Sequence, residues 1–164
     1  MSEKSVLYDY LKQNKYMTLA TASPSGQPEA ATVEYVLDGD ELLLNTYTRY
    51  RKYPNLLDNP RVACVLTTNH NMTLQFEGTV QLLQDKDAED AKQKMLAAEP
   101  DFADYFHDTD TRFFKLTPTW MRLRDYTKQP MQVTEYTAPL LLEAVQHSAA
   151  NGQAYGSGSM GGEQ

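Results

Sequence analysis

The 164-residue chain has a single cysteine and no long apolar run, and each scarcity excludes a class of protein. One cysteine excludes an internal disulfide framework, and the chain has neither a CxxC pair nor a His/Cys cluster that would indicate a metal. Cys64 lies in the apolar run VACVL, so we expect a buried core residue rather than a reactive thiol. No stretch approaches the ~18 apolar residues of a membrane span. We therefore expect a cytoplasmic protein without a membrane partner.

Positive charge is also scarce, with 15 Lys and Arg residues against 22 Asp and Glu residues and a net charge of −7. A nucleic-acid partner needs a surplus of cations, so nucleic acid is excluded as the main partner. The 41% hydrophobic content suits one domain with a core, which we assign to residues 1–150. The Gly- and Ser-rich residues 151–164 are predicted to form a disordered tail.

Three motifs of common enzymes are missing as well. The sequence contains no GxGxxG that follows a predicted strand, no GxxxxGK[ST] and no GxSxG, so it predicts no dinucleotide-binding loop, phosphate loop or serine elbow. A phosphate-bearing ligand would need side-chain cations instead. No residue is assigned a catalytic role.

The apolar periodicity predicts a mainly β domain. The predicted elements of the first half are a helix over 3–14, strands Tyr16–Ser23, Glu29–Leu37 and Glu41–Tyr47, a short helix Tyr53–Asn59, and strands Arg61–Thr67 and Met72–Leu82. Those of the second half are a helix Asp87–Ala98, a short helical piece Pro100–His107, strands Arg112–Leu116 and Thr119–Tyr126, and a last helix that starts at Thr137 and carries Val145. Gly78, inside the alternating strand, indicates a bulge or a close backbone approach. Six or seven strands interrupted by a helix favour a small antiparallel barrel.

The most informative segment is NTYTRYRKYPNLLDNPRV, residues 45–62. It gathers Arg49, Arg51 and Lys52 beside two threonine hydroxyls, between a predicted strand and a predicted short helix. Cations, hydroxyls and helix-start amides could converge there on one phosphate. The alternative is a solvated loop that is cationic for solubility.

A family resemblance rests on this segment and its surroundings. The order MTLATAS, PSGQP, EAATVEYVL, DGDE, LLLNTYT, RKYPNLLDNPRVACVL and QFEGTV resembles the pyridoxamine 5'-phosphate oxidase-like FMN-binding split barrel, over about residues 10 to 126. The resemblance implies a six- to seven-stranded antiparallel Greek-key split barrel that binds FMN. It also implies a homodimer with flavin sites at the subunit interface and a small-molecule substrate. The function it implies is an oxidoreductase that transfers hydride between a reduced donor and a small molecule not yet identified.

The resemblance also implies which residues hold the cofactor. Arg51 and Lys52 fall on the family's phosphate-binding pair. The implied flavin-lining residues are Asn45, Thr46, Thr73 and Gln75, and those implied to complete a site across the dimer are Trp120, Arg122 and Arg124. Two positions depart from the pattern, because Ala30 and Tyr35 stand where the true oxidases carry basic residues. Pyridoxamine phosphate oxidation is therefore less favoured than a general flavin role.

Several alternatives stay open at this point. The chain could instead be a non-catalytic or stress-related module that binds flavin or haem, with His147 on the last helix as a haem ligand rather than a surface histidine. A deazaflavin site is a third possibility. Arg122 and Arg124 could be exposed barrel charges, and Trp120 could be a core plug. Other side chains have simpler expectations: Asp108 and Asp110 as solvated charges, Tyr47 packed near the site, and Tyr50 and Tyr53 near the site or in a dimer interface.

Overall fold

A computed structural model describes the backbone of residues 3–69, 71–137 and 144–148. The helices are α1 (Glu3–Gln13), α2 (Lys52–Asp58) and α3 (Asp85–Ala98), followed by a 3₁₀ helix (Pro100–Asp104). The strands are β1 (Tyr16–Ala22), β2 (Pro28–Asp38), β3 (Glu41–Tyr47), β4 (Arg61–Asn69), β5 (Met72–Leu82), β6 (Thr111–Asp125), β7 (Gln132–Thr137) and β8 (Ala144–Ser148). Within the described residues, no helix combines the length and apolar character needed to cross a bilayer.

The strands form one antiparallel sheet that closes into a barrel. Their order is β3-β2-β1-β4-β5-β6-β7-β8, and an additional pairing of β3 with β6 closes the first six. Strands β1 to β3 form a meander, and β4 returns to lie beside β1, which is the Greek-key arrangement. The long strand β6 pairs with β3 along its first part and with β7 along its second part. The predicted mainly β split-barrel fold is confirmed.

Alternation of apolar and polar side chains builds the barrel core. On β5, Leu74, Phe76 and Val80 are buried, while Glu77 and Thr79 are exposed. Other fully buried side chains are Met17, Leu19, Leu42, Leu44, Leu66, Phe114, Leu116 and Met121. Helix α3 covers a second apolar cluster on the outside of the barrel, formed by Leu43, Ala91, Met95, Phe102, Phe106 and Phe113. Cys64 is buried as expected, and this burial raises the pKa of its thiol to about 12.

Gly78 shows both features that its place in the sequence indicated. The register between β5 and β6 shifts at this point, because Glu77 pairs with Trp120 and Gly78 with Pro118. Thr119 is therefore the extra residue of a bulge. A Cβ atom at Gly78 would lie 2.6 Å from the carbonyl oxygen of Thr117, which only glycine avoids.

The structure corrects three predicted elements. Residues 112–116 and 119–126 belong to one continuous strand, because Pro118, which has no N–H to donate, sits at the bulge rather than ending the strand. Strand β7 was not predicted. Residues 144–148 form a strand paired with β7 instead of part of a helix, so Val145 and His147 lie on β8. Thr137, where that helix was predicted to start, is the last residue of β7. Residues 138–143 and the tail from residue 151 lie outside the described residues.

Candidate functional site

The outer face of the barrel carries small side chains where a ligand or a partner can approach closely. The register aligns Ala30, Ala20, Ala63, Glu77 and Trp120 in one row across β2, β1, β4, β5 and β6. With strands about 4.8 Å apart, Ala20 and Trp120 are separated by roughly 14 Å along this row. The row therefore offers a shallow surface as long as a small aromatic cofactor.

A groove of about 600 Å³ lies on this face, within the size range of small-molecule sites. Its small side chains are those of Ala20, Ala22 and Ala63. The polar residues that line it are Thr21, Asn59, Arg61, Glu77, Thr79 and Thr119. The groove combines a flat apolar surface with polar groups at its rim, which suits a planar ring that carries polar edges.

The predicted cationic pair stands at the end of β1 and β2. Arg51 directly precedes α2, exposes 77% of its side chain, and has its Nε atom 3.5 Å from Oε2 of Glu29. Glu29 pairs with Thr21 in the β1–β2 ladder, and Thr21 lines the groove. The Nδ2 atom of Asn55 on α2 donates to Oγ1 of Thr21 at 3.1 Å. Helix α2 is thus fixed to a groove-lining residue of β1, although Thr21 is itself buried and neither Arg51 nor Lys52 lines the groove.

Lys52 is the less usual member of this pair. Only 9% of the residue is exposed. Burial lowers the pKa of Lys52, and the nearby charge of Glu29 opposes that shift only in part. Among the described residues, no carboxylate oxygen lies within 4.0 Å of its ammonium group, whose Nζ atom lies 4.7 Å from the ring centre of Tyr50. A partly desolvated ammonium without a close counter-ion is stabilised by an incoming anion.

Arg49, the third cation of the segment, is already neutralised. Its Nη1 atom lies 2.7 Å from Oδ2 of Asp108 and 2.9 Å from Oδ2 of Asp110. The expectation that these two acids are merely solvated charges is wrong, because both bind this guanidinium. Helix α2 has only seven residues, too few for its amides to make an anion site of their own. An anion at this corner would therefore rely on Arg51 and Lys52.

Asn45 and Thr46 lie on opposite sides of β3. Thr46 is 3% exposed and points into the barrel, and within the described structure its Oγ1 atom has no hydrogen-bond partner. Asn45 is half-buried and pairs with Phe113, which belongs to the cluster under α3. Neither residue lines the groove, so the structure does not bring them together with the small residues of the outer face.

Thr73, Gln75, Trp120 and Arg122 all lie on the outer face of β5 and β6. All four are half-exposed, with Gln75 opposite Arg122 and Trp120 opposite the groove residue Glu77. They continue the outer face along the same two strands that supply the groove residues Glu77 and Thr119. This placement agrees with a surface role for Trp120 rather than a core plug.

The two positions that depart from the family pattern also differ from each other. Ala30 is exposed on the outer face, opposite Ala20, and supplies no charge. Tyr35 lies in the core, where its hydroxyl donates to the backbone oxygen of Leu11 at 2.8 Å. Tyr53 is partly buried and packs edge to face against Phe114 of the core, at 6.2 Å between ring centres.

Two contributors to the site were missed by sequence reasoning. Glu29 faces both cations, and nothing in its local sequence indicates this. The small outer residues do leave a signal, since Ala20, Ala22 and Ala63 occupy alternate positions of TLATA and VAC. Alternating small side chains on a strand face indicate a surface built for close approach.

Family comparison agrees with this geometry. The family model described as pyridoxamine 5'-phosphate oxidase matches residues 6–125, which is most of the chain. The chain belongs to the pyridoxamine 5'-phosphate oxidase family. The match covers the six barrel strands, α2 and the cationic pair. No curated protein matches this chain.

Solved structures share the fold at low sequence identity. A pyridoxamine 5'-phosphate oxidase-related, FMN-binding protein from Nostoc punctiforme is 14% identical, with a TM-score of 0.67 over 90% of this chain and 98% of that chain. The haem storage protein HutZ from Vibrio cholerae is 18% identical, with a TM-score of 0.61 over 72% and 91%. A haem-binding protein from Mycobacterium smegmatis is 19% identical, with a TM-score of 0.72 over 86% and 60%. The fold thus occurs in both FMN-binding and haem-binding proteins.

Proposed function

We propose that this protein binds FMN on the outer face of the barrel and acts as an oxidoreductase on a small molecule. The observation that carries the proposal is Lys52, a residue only 9% exposed whose ammonium has no carboxylate within 4.0 Å among the described residues, on a helix that Asn55 joins to the groove residue Thr21. A phosphate supplies the missing counter-ion, and the planar ring suits the alanine surface.

The residues divide into two roles in this proposal. Arg51 and Lys52 hold the phosphate, Arg51 as an exposed fork of donors and Lys52 as a desolvated point charge. Ala20 and Ala63 support the ring, and Gln75 and Trp120 border it on the side of β5 and β6. When bound, FMN supplies a ring that accepts a hydride, so the protein needs no nucleophile of its own.

A homodimer belongs to the same proposal. The face around the groove carries the exposed uncharged residues Thr18, Ala30, Ala63 and Val65. A second copy laid against this face would bury apolar surface and exclude water from the ring. It would also bring its own β5–β6 residues, including Arg122 and Arg124, towards the bound cofactor.

Haem binding is the second candidate, and the names of two similar structures favour it. It would require an axial ligand, and His147 on β8 is one candidate. The cationic pair favours FMN, because a phosphate needs the point-charge partner that Lys52 provides. The two propionate carboxylates of haem could also pair with Lys52, so identification of the bound chromophore decides between the two candidates.

The test is titration of FMN and riboflavin into cofactor-free protein. Charged hydrogen bonds contribute about 1.5–3 kcal/mol, so Lys52→Met should weaken FMN roughly 10- to 100-fold. Riboflavin, which lacks the phosphate, should bind the variant and the wild type alike. Arg51→Ala combined with Lys52→Ala should abolish FMN retention while the protein still folds. Lys94→Met on α3, which breaks an ion pair with Asp38 of β2, is the matched control. Unchanged FMN affinity in Lys52→Met would mean that Lys52 does not bind the phosphate.

A further inference from the structure

The turn between β3 and α2, which carries the cationic pair, is fastened to a second turn that precedes β6. The amide of Thr48 donates to the carbonyl oxygen of Asp110 at 3.1 Å. The amide of Arg49 donates to Oδ2 of Asp110 at 3.3 Å, and the Arg49 guanidinium binds Asp108 and Asp110 at 2.7 and 2.9 Å. Backbone and side chain of Arg49 therefore hold the same acidic turn.

The acidic turn is itself arranged to receive Arg49. The amide of Asp110 donates to Oδ1 of Asp108 at 2.9 Å. This hydrogen bond and the Arg49 guanidinium both hold the pKa of Asp108 below its usual range. The carboxylate that binds Arg49 is thus kept charged and oriented by its own turn.

Aromatic contacts continue from Arg49 to Lys52. The guanidinium carbon of Arg49 lies 4.1 Å from the ring centre of Tyr47 and 5.6 Å from that of Tyr50. The two rings meet edge to face at 5.2 Å. The ammonium of Lys52 lies 4.7 Å from the centre of the Tyr50 ring. Tyr50 therefore contacts Arg49 and Lys52 at once, and cation–π attraction favours both contacts.

From this chain of contacts we infer that Arg49 is a positioning residue: it sets the place of Lys52 through Tyr50 and does not bind the anion itself. The inference rests on the proposed function, since it deepens the account of the same site. Two carboxylates surround the guanidinium, so the group of three carries a net negative charge. An anion would have to displace both carboxylates to reach Arg49, whereas Lys52 has no carboxylate to displace.

The test combines FMN titration with hydrogen exchange of residues 48–56, whose amides include the hydrogen-bonded Tyr50 and Tyr53. Arg49→Gln and Asp110→Asn should each weaken FMN severalfold and speed exchange of this segment. FMN should bind the double variant no more weakly than it binds Arg49→Gln alone, because both changes break the same contact between Arg49 and Asp110. Tyr50→Phe, which keeps the ring, should behave as wild type, while Tyr50→Leu should resemble Arg49→Gln. Lys94→Gln is the control for loss of an exposed ion pair elsewhere.

Two results would overturn the inference. Tighter FMN binding in Asp110→Asn would mean that Arg49, freed from its acid, is a direct ligand of the anion. Unchanged exchange of residues 48–56 in Arg49→Gln would mean that Arg49 does not hold the turn. If the wild-type protein bound no FMN, the proposed function would fail, and the exchange data alone would decide whether Arg49 positions the segment.

Discussion

Arg122 and Glu135 face each other across the β6–β7 pair, and both Nε and Nη2 of Arg122 lie 2.6 Å from Oε1 of Glu135. The same guanidinium lies 4.9 Å from the ring centre of Trp120. Arg122 is thus an outer barrel charge that already has a partner within the chain. Arg122 differs in this respect from Lys52, whose ammonium has no carboxylate within 4.0 Å among the described residues.

The pairing predicts a modest role for Arg122 in cofactor binding. Glu135→Gln should lower the free energy of unfolding by less than about 1 kcal/mol, as for other partly exposed ion pairs, measured by urea denaturation. Arg122→Gln should weaken FMN much less than Lys52→Met, because its charge is already compensated. Equal losses of FMN affinity in Arg122→Gln and Lys52→Met would mean that Arg122 also binds the anion.

Glu29 is predicted to compete with the cofactor phosphate. It is the only described carboxylate within 4.0 Å of Arg51, and its charge also acts on Lys52. Glu29→Gln removes this negative charge, so FMN should bind severalfold more tightly, as measured by calorimetric titration. Glu89→Gln on the exposed face of α3 serves as the control. Weaker FMN binding in Glu29→Gln would mean that the acid orients Arg51 rather than opposing the phosphate.

FMN affinity should fall at alkaline pH earlier than for an ordinary lysine site. Burial lowers the pKa of Lys52 below its usual 10.5, so the ammonium loses its proton as pH rises through that lowered value. The phosphate contact is fully present below the lowered pKa and is lost above it. Riboflavin has the same ring without the phosphate, so the difference between the two affinities isolates Lys52. A difference that stays constant up to pH 10.5 would contradict this prediction.

Gly78→Ala should destabilise the barrel. The added Cβ atom would meet the Thr117 oxygen at 2.6 Å, Leu116 Cδ2 at 3.0 Å and Pro118 Cα at 3.1 Å, and two of these atoms are backbone. Overpacking of this kind costs about 1–3 kcal/mol, which a thermal melt would detect. The exposed neighbour provides a control, since Thr79→Ala should leave Tm nearly unchanged. An unshifted melt for Gly78→Ala would show that the bulge can open to accept a methyl group.

The barrel could be predicted from sequence because its strands carry local signals. The alternation from Met72 to Leu82 reports one buried face directly, and the turn residues around β1 to β3 mark their ends. Strands β7 and β8 were missed or misassigned, because the six residues of β7 follow no clear alternation and β8 gains its partner only in the folded sheet.

The site was predictable only where its members are close in sequence. Arg51 and Lys52 were found together because they are adjacent in sequence. Arg49 was grouped with them as a third cation, because its partners Asp108 and Asp110 lie 59 and 61 residues away and their contact with it could not be seen in the sequence. Glu29 was missed for the same reason, because it is distant in sequence from Arg51 and Lys52. Residues of one charged segment can thus have opposite roles, and only tertiary contacts separate them.

Binding of FMN to this barrel is tested by the visible spectrum of freshly purified protein, with mass spectrometry of the released chromophore. We expect a flavin spectrum and FMN in an amount stoichiometric with the protein chain, lost in the variant that combines Arg51→Ala with Lys52→Ala. A haem absorption band would contradict FMN binding and would make His147 the first residue to test as an axial ligand. A colourless protein that also fails to bind added FMN would contradict it too, and would show that the uncharged Ala30 leaves too little positive charge to hold the phosphate.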